Sequence, residues 1–137
     1  MGLILDTSAL VELERNQALG LKANALASEL VYMPSIVWAE ALIGVRLAGT
    51  PVKAAQRRAR LELIRSMVAL KPFTPDYAEY YADIYAELKI AGTPIPQNDM
   101  MVAATARAMN LPVLVSAKDE IHFRLVKGLV VEVLPHD

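Results

Sequence analysis

Five short, predominantly apolar runs punctuate the chain, with segments of helical length between them. They are Leu3-Ile4-Leu5, Val31-Tyr32-Met33, Leu70–Phe73, Leu111–Val115 and Leu129–Val133. A strand without apolar/polar alternation must be covered on both faces. Strands of that kind alternating with helices imply a parallel sheet inside two helical layers. The expected fold class is therefore α/β, a sandwich around a mostly parallel five-stranded sheet. With 137 residues, the expectation is one domain, 1–137.

The segments between the runs carry helix signals. Asp6-Thr7-Ser8 is a good helix start after the first run, followed by Leu10, Val11 and Leu13 in helical spacing. An Ala- and Leu-rich helix is expected from about Leu19 to Leu30. Pro34 stops the second strand, and Ser35 caps a helix through Ile36, Val37, Ala39, Glu40, Leu42, Ile43 and Val45, punctuated by Gly49 and Pro51. Val52 to Leu70 is again helical and strongly basic. Thr74-Pro75-Asp76 opens a helix with Tyr77, Tyr80, Tyr81, Ile84, Tyr85 and Leu88 along one side, read as core packing or a subunit interface. Its acids Asp76, Glu79, Asp83 and Glu87 form a solvent-facing edge. Thr93-Pro94-Ile95-Pro96 is a rigid loop, after which Asn98 or Asp99 opens an Ala-rich helix ending near Asn110.

Several function classes drop out on composition. Lys and Arg number 14 against 15 Asp and Glu, which excludes a protein that coats nucleic acid by bulk positive charge but not a nucleic-acid enzyme. With no cysteine there is no disulfide framework, thiolate zinc site or cysteine nucleophile, and two histidines cannot build an all-histidine zinc centre. No uncharged stretch approaches the ~20 residues of a membrane span, and the N-terminus lacks the features of a signal peptide. A soluble, cytoplasmic protein is expected.

Ligands of open parallel sheets bind at the carboxyl ends of the strands. Asp6 ends the first strand, Asp99 begins the helix before the fourth, and Asp119 follows the fourth. Glu40 lies in an otherwise apolar helix, where a carboxylate is costly to bury without a positive partner. Carboxylates converging on one place repel, and a divalent cation relieves that cost. Hard oxygen donors suit Mg2+ or Mn2+, the chemistry of metal-assisted phosphodiester hydrolysis with one or two ions.

These segments also resemble a known family. LILDTSAL is similar to the opening motif of the PIN-domain nucleases, PSIVWAEALIGV to the second, and NDMMVAATARAMNLPVLVS to the third. Their order, spacing and the chain length match the VapC-like toxins of toxin–antitoxin pairs. The resemblance implies a PIN-like α/β/α sandwich and a metal-dependent endoribonuclease with Asp6, Glu40 and Asp99 as catalytic, metal-binding carboxylates. It implies supporting hydroxyls at Thr7 or Ser8 and at Ser116, a homodimer, and a VapB-like antitoxin that occludes the site. The fourth acid departs from the pattern: Lys118 stands two residues after Ser116 where the family places an acid, and His122 precedes Phe123 where an acid is usual. Asp119 takes the role if the loop carries one extra residue, with Glu120 the runner-up.

Arg46, Lys53, Arg57, Arg58, Arg60, Arg65 and Lys71 face a single acid, Glu62, in one stretch. They are candidates for RNA-backbone contacts, Arg46, Lys53, Arg57, Arg58 and Arg60 above all, or else a solvated helix face or a surface for an acidic partner. Trp38 reads as a core or antitoxin-contact residue, and a lone loop histidine, His122, as neither acid–base nor phosphate-binding. The alternative function is a non-catalytic scaffold of the same fold that binds RNA or protein. A small-molecule phosphohydrolase is disfavoured, because Asp6-Thr7-Ser8 lacks the second acid that aspartyl-phosphate enzymes carry.

Overall fold

The structure, a computed structural model, describes residues 2–16 and 30–134. Five strands form one sheet in the order β3-β2-β1-β4-β5: β1 Gly2–Leu5, β2 Leu30–Pro34, β3 Ala69–Lys71, β4 Val113–Val115 and β5 Val131–Val133. Every pairing is parallel, with Leu3 opposite Val31, Leu5 opposite Leu114 and Val113 opposite Val131. The helices flanking this sheet among the described residues are α1 Thr7–Arg15, α2 Ser35–Arg46, α3 Pro51–Arg65, α4 Pro75–Ala91, α5 Gln97–Met109 and α6 Glu120–Arg124. The expected helix at Leu19 to Leu30 falls largely outside the described residues, with Leu30 itself beginning β2.

Both faces of β1 and β4 are covered, so Leu3, Ile4, Leu5, Val113, Leu114 and Val115 are all buried. In α5, Ala103, Ala104 and Ala106 are buried beside Val102, and their small side chains let the helix backbone lie close to its neighbours. The chain builds β2 and β3 on one side of β1, then crosses to place β4 and β5 on the other. The direction of winding therefore reverses between β1 and β4, and a crevice opens beyond the carboxyl ends of two such strands.

Some boundaries differ from the expected ones for identifiable reasons. The basic helix stops at Arg65, not Leu70, because Ala69, Leu70 and Lys71 pair with Tyr32, Met33 and Pro34. Strand β3 ends before Phe73, since Pro72 has no N–H to offer a ladder. Pro112 likewise keeps β4 from starting at Leu111, although its carbonyl accepts from the Ile4 N–H at 2.9 Å. The tyrosine stripe of α4 divides: Tyr77, Ile84 and Leu88 are buried, while Tyr80 and Tyr85 are exposed. Glu120–Arg124 forms a short helix where only a loop was expected, anchored by the fully buried Phe123.

Candidate active site

Asp6 follows the last residue of β1 and is the N-cap of α1, so one residue both ends a buried strand and faces a helix N-terminus. The residue is 1% exposed, and its side chain accepts from the Ser8 backbone N–H at 3.1 Å and the Ser8 hydroxyl at 2.6 Å. Burial pushes its pKa up to about 6 against the lowering effect of the Ser8 bonds, with Asp99 and Asp119 adding repulsion. The Ser8 hydroxyl also accepts from the Ser116 N–H at 3.0 Å, which ties the end of β1 to the end of β4. Thr7, one residue earlier, donates its hydroxyl to Glu40 Oε1 at 2.6 Å and so holds the α2 acid over α1.

Thr7, Ser8, Glu40, Asp99, Ser116, Lys118 and Asp119 line one cleft of about 240 Å³, closed on the α1 side by Val11, Glu12 and Arg15. Asp6 lies behind the cleft, its carboxylate close enough to Asp99 and Asp119 to feel both. Asp99 sits in the first turn of α5. Its pKa is raised, chiefly by burial, with Asp119 and Glu40 adding to the rise and His122 opposing it. The structure thus brings together the four acids that the chain order suggested, and all three hydroxyl residues with them. Between the two candidates for the last acid it separates clearly: Asp119 lines the cleft, whereas Glu120 points to Arg124 at 3.0 Å.

Sequence did not single out Glu12, Arg15 and Lys118 for this cleft, nor His122 beside it. His122 places Nδ1 2.7 Å from Asp99 Oδ2, and donor atoms of Asp99, Asp119 and His122 lie within 4.8 Å of one another. The signal was available: Asp119 and His122 are three apart at a helix start, hence on one face, and Phe123 fixes that helix in the core. Arg15 and Lys118 supply positive charge at the cleft wall. The donor set fits a divalent cation. Its oxygens are hard ligands, and two of the carboxylates are penalised for ionising, chiefly by burial and further by the other acids, a cost that a bound cation would offset.

The basic arm is less free than its composition suggested. Glu14, its side chain 2% exposed, is held by Arg57 Nε at 3.0 Å and Arg60 Nη2 at 3.4 Å. Arg58 pairs with Glu62 at 2.9 Å, and Arg58 and Arg65 lie over the Trp38 ring. Arg46 and Lys53 form no ion pair among the described residues, and Arg46 lines a second, shallower cleft with Arg58 and Thr50.

Comparison with known proteins gives the same frame from outside. A family model described as PIN domain matches residues 3–129. The chain is 34% identical over 136 residues to a protein of Rickettsia bellii named Ribonuclease VapC, covering 98% of each. The solved VapBC2 of Rickettsia felis, bound to a DNA fragment from its promoter, superposes with a TM-score of 0.87 at 25% identity, covering 98% of this chain and 100% of that one. FitAcB of Neisseria gonorrhoeae is similar at TM-score 0.78 and 29% identity, with coverage of 94% and 95%.

Proposed function

Because this chain belongs to the PIN-domain family, we propose that it is a metal-dependent endoribonuclease, the toxin of a toxin–antitoxin pair, with its catalytic centre in the cleft between β1 and β4. The observation that carries this reading is the convergence, from four separate parts of the chain, of Glu40, Asp99 and Asp119 on one cleft with Asp6 buried behind it. A scaffold that only bound RNA or protein would gain nothing from the repulsion this arrangement costs.

Asp6, Glu40, Asp99 and Asp119 would hold one or two Mg2+ or Mn2+ ions. Held there, such ions would neutralise charge developing on a phosphate and lower the pKa of water so that a nucleophile is available near neutral pH. The chain's own groups supply the rest. Ser8 fixes the Asp6 carboxylate by two hydrogen bonds, and Thr7 fixes Glu40 by one. Ser116, through its backbone N–H, holds Ser8 in place. Arg15 and Lys118 at the cleft wall would meet phosphates flanking the scissile bond, and Arg46 in the second cleft and Lys53 on α3 are further groups for backbone contact. Arg57, Arg58 and Arg60 reach RNA only at the expense of their carboxylate partners.

A VapB-like antitoxin and a second copy of the chain are the proposed partners, acting in the cytoplasm. Ile43, Leu47 and Val52 around the α2–α3 turn, and Ile90 near the end of α4, are exposed apolar side chains that partners would cover. No described helix is long and apolar enough to cross a membrane. The test is RNA cleavage by the purified chain. Activity should require added divalent ion, stop with EDTA, and fall about a hundred- to a thousandfold in Asp99→Asn, the order expected on losing a group that acts in the transition state. Cleavage by Asp99→Asn at the normal rate would remove the cleft from the reaction.

A further inference from the structure

An all-carboxylate centre offers only oxygen, but here an imidazole stands beside two of the carboxylates. His122 Nδ1 lies 2.7 Å from Asp99 Oδ2, and together with Asp119 these donors fall within 4.8 Å of one another. At 2.7 Å the pair is a short hydrogen bond, and an ion shared by the two atoms would take the place of its proton. His122 is also presented rather than loose. Its backbone N–H donates to the Asp119 carbonyl at 3.1 Å, and the next residue, Phe123, is wholly buried. The Asp119 side chain makes no capping bond to the helix it precedes, and its carboxylate remains open toward Asp99 and His122. The His122 side chain is 34% exposed and so open to solvent beside Asp99, which itself lines the cleft.

Resting on the nuclease reading, we propose that His122 is a metal ligand through Nδ1, sharing an ion with Asp99 and Asp119, and that it biases the site toward first-row transition dications over Mg2+. Imidazole suits Fe2+, Co2+, Ni2+ and Zn2+, whereas Mg2+ is served by carboxylate and water oxygens. Replacing one oxygen donor by nitrogen raises the affinity for the former and does nothing for the latter. Affinity then rises from Mg2+ through Mn2+ to Co2+ more steeply than an oxygen-only site would allow.

The experiment uses the full chain stripped of metal. Mn2+ is bound and the 14N coupling to its electron spin is measured by pulsed paramagnetic resonance. Mg2+ and Co2+ affinities are measured by calorimetry on the parent and on His122→Asn. The parent should show an imidazole 14N coupling that changes when histidine is labelled with 15N. His122→Asn should lose the coupling, keep its Mg2+ affinity within about twofold and lose about tenfold or more in Co2+ affinity. His136→Asn, the other histidine, should change none of these. Bound Mn2+ without 14N coupling in the parent overturns the proposal and leaves the nuclease reading intact. Equal losses for Mg2+ and Co2+ in the variant also overturn it, leaving His122 as a group that only orients Asp99. If neither Mn2+ nor Mg2+ binds the parent, both the proposal and the metal-centre reading fail. Should His122→Asn not fold, the 15N-labelled parent decides alone.

Discussion

The Asp6 carboxylate stands in the most buried position of the site, and replacing it with Asn should stabilise the metal-free protein. Its pKa rises from an ordinary 3.8 to about 6. That rise corresponds to ~3 kcal/mol by which the fold disfavours the ionised form, since one pKa unit is ~1.36 kcal/mol. Folding therefore takes up a proton in this range. The stability associated with neutral Asp6 is complete below pH 3.8 and is lost as the pH rises through about 6. Asn has the same shape, carries no charge and is an equally good N-cap for α1. It must still seat an amide N–H₂ where an oxygen stood, at a cost of ~1–2 kcal/mol. The net expectation at pH 7.5 with EDTA present is a gain of ~1–2 kcal/mol, or a Tm higher by ~3–8 °C for a domain of this size. Urea unfolding from pH 4 to 8 is the assay. The parent should lose stability relative to Asp6→Asn between pH 4 and 6 and run parallel to it above. Adding a divalent ion at a hundred times its Kd should stabilise the parent alone by ~2.7 kcal/mol and erase or reverse the difference. A parent that gains stability relative to the variant as the pH rises from 4 to 6 would refute the reasoning, as would a variant less stable at pH 7.5 without metal.

Glu14→Gln leaves Arg57 and Arg60 without their buried partner, and should cost ~1–3 kcal/mol in urea unfolding, because Arg57 keeps partial access to water. Gly44→Ala puts a methyl group 2.5 Å from Arg57 Nη1 and should destabilise the parent by ~1–3 kcal/mol. In a Glu14→Gln background, where Arg57 is free to move, the same change should become neutral or stabilise by up to ~1 kcal/mol through helix propensity. Ser8→Ala removes both the hydroxyl bond to Asp6 and the acceptor for the Ser116 N–H. It should raise the Asp6 pKa further, so the acid limb of the pH profile for RNA cleavage should move to higher pH.

The sheet was legible because burial on both faces leaves a sequence signature of its own, continuous apolar runs such as Leu3-Ile4-Leu5 and Val113-Leu114-Val115. Asp6 and Asp99 were legible for a related reason, since each directly follows a strand or opens a helix where a polar residue has a structural job. Register escaped the sequence at the ends of strands, where Pro72 and Pro112 trim the ladders. The basic arm misled because composition counts charges without their partners. Its acid, Glu14, lies 43 residues before Arg57 in the chain, and only the tertiary fold brings the two together. Gly44 shows the same limit: it leaves room on α2 for the Arg57 guanidinium, a neighbour from another helix. His122 was set aside as a lone histidine, but its role depends on a five-residue helix that only the burial of Phe123 explains.

In the proposed reaction water attacks an RNA phosphodiester at the carboxylate cleft, with divalent ions held by Asp6, Glu40, Asp99 and Asp119. The most direct measurement is the chemistry of the cut ends after cleavage in 18O-enriched water, with and without EDTA. Attack by water should leave linear phosphate ends carrying one solvent-derived 18O, with no cut at all once EDTA is present. Ends bearing a 2′,3′-cyclic phosphate, or cleavage that continues in EDTA, would contradict it, since either would mean attack by the neighbouring ribose hydroxyl or a reaction that does not need the carboxylate site.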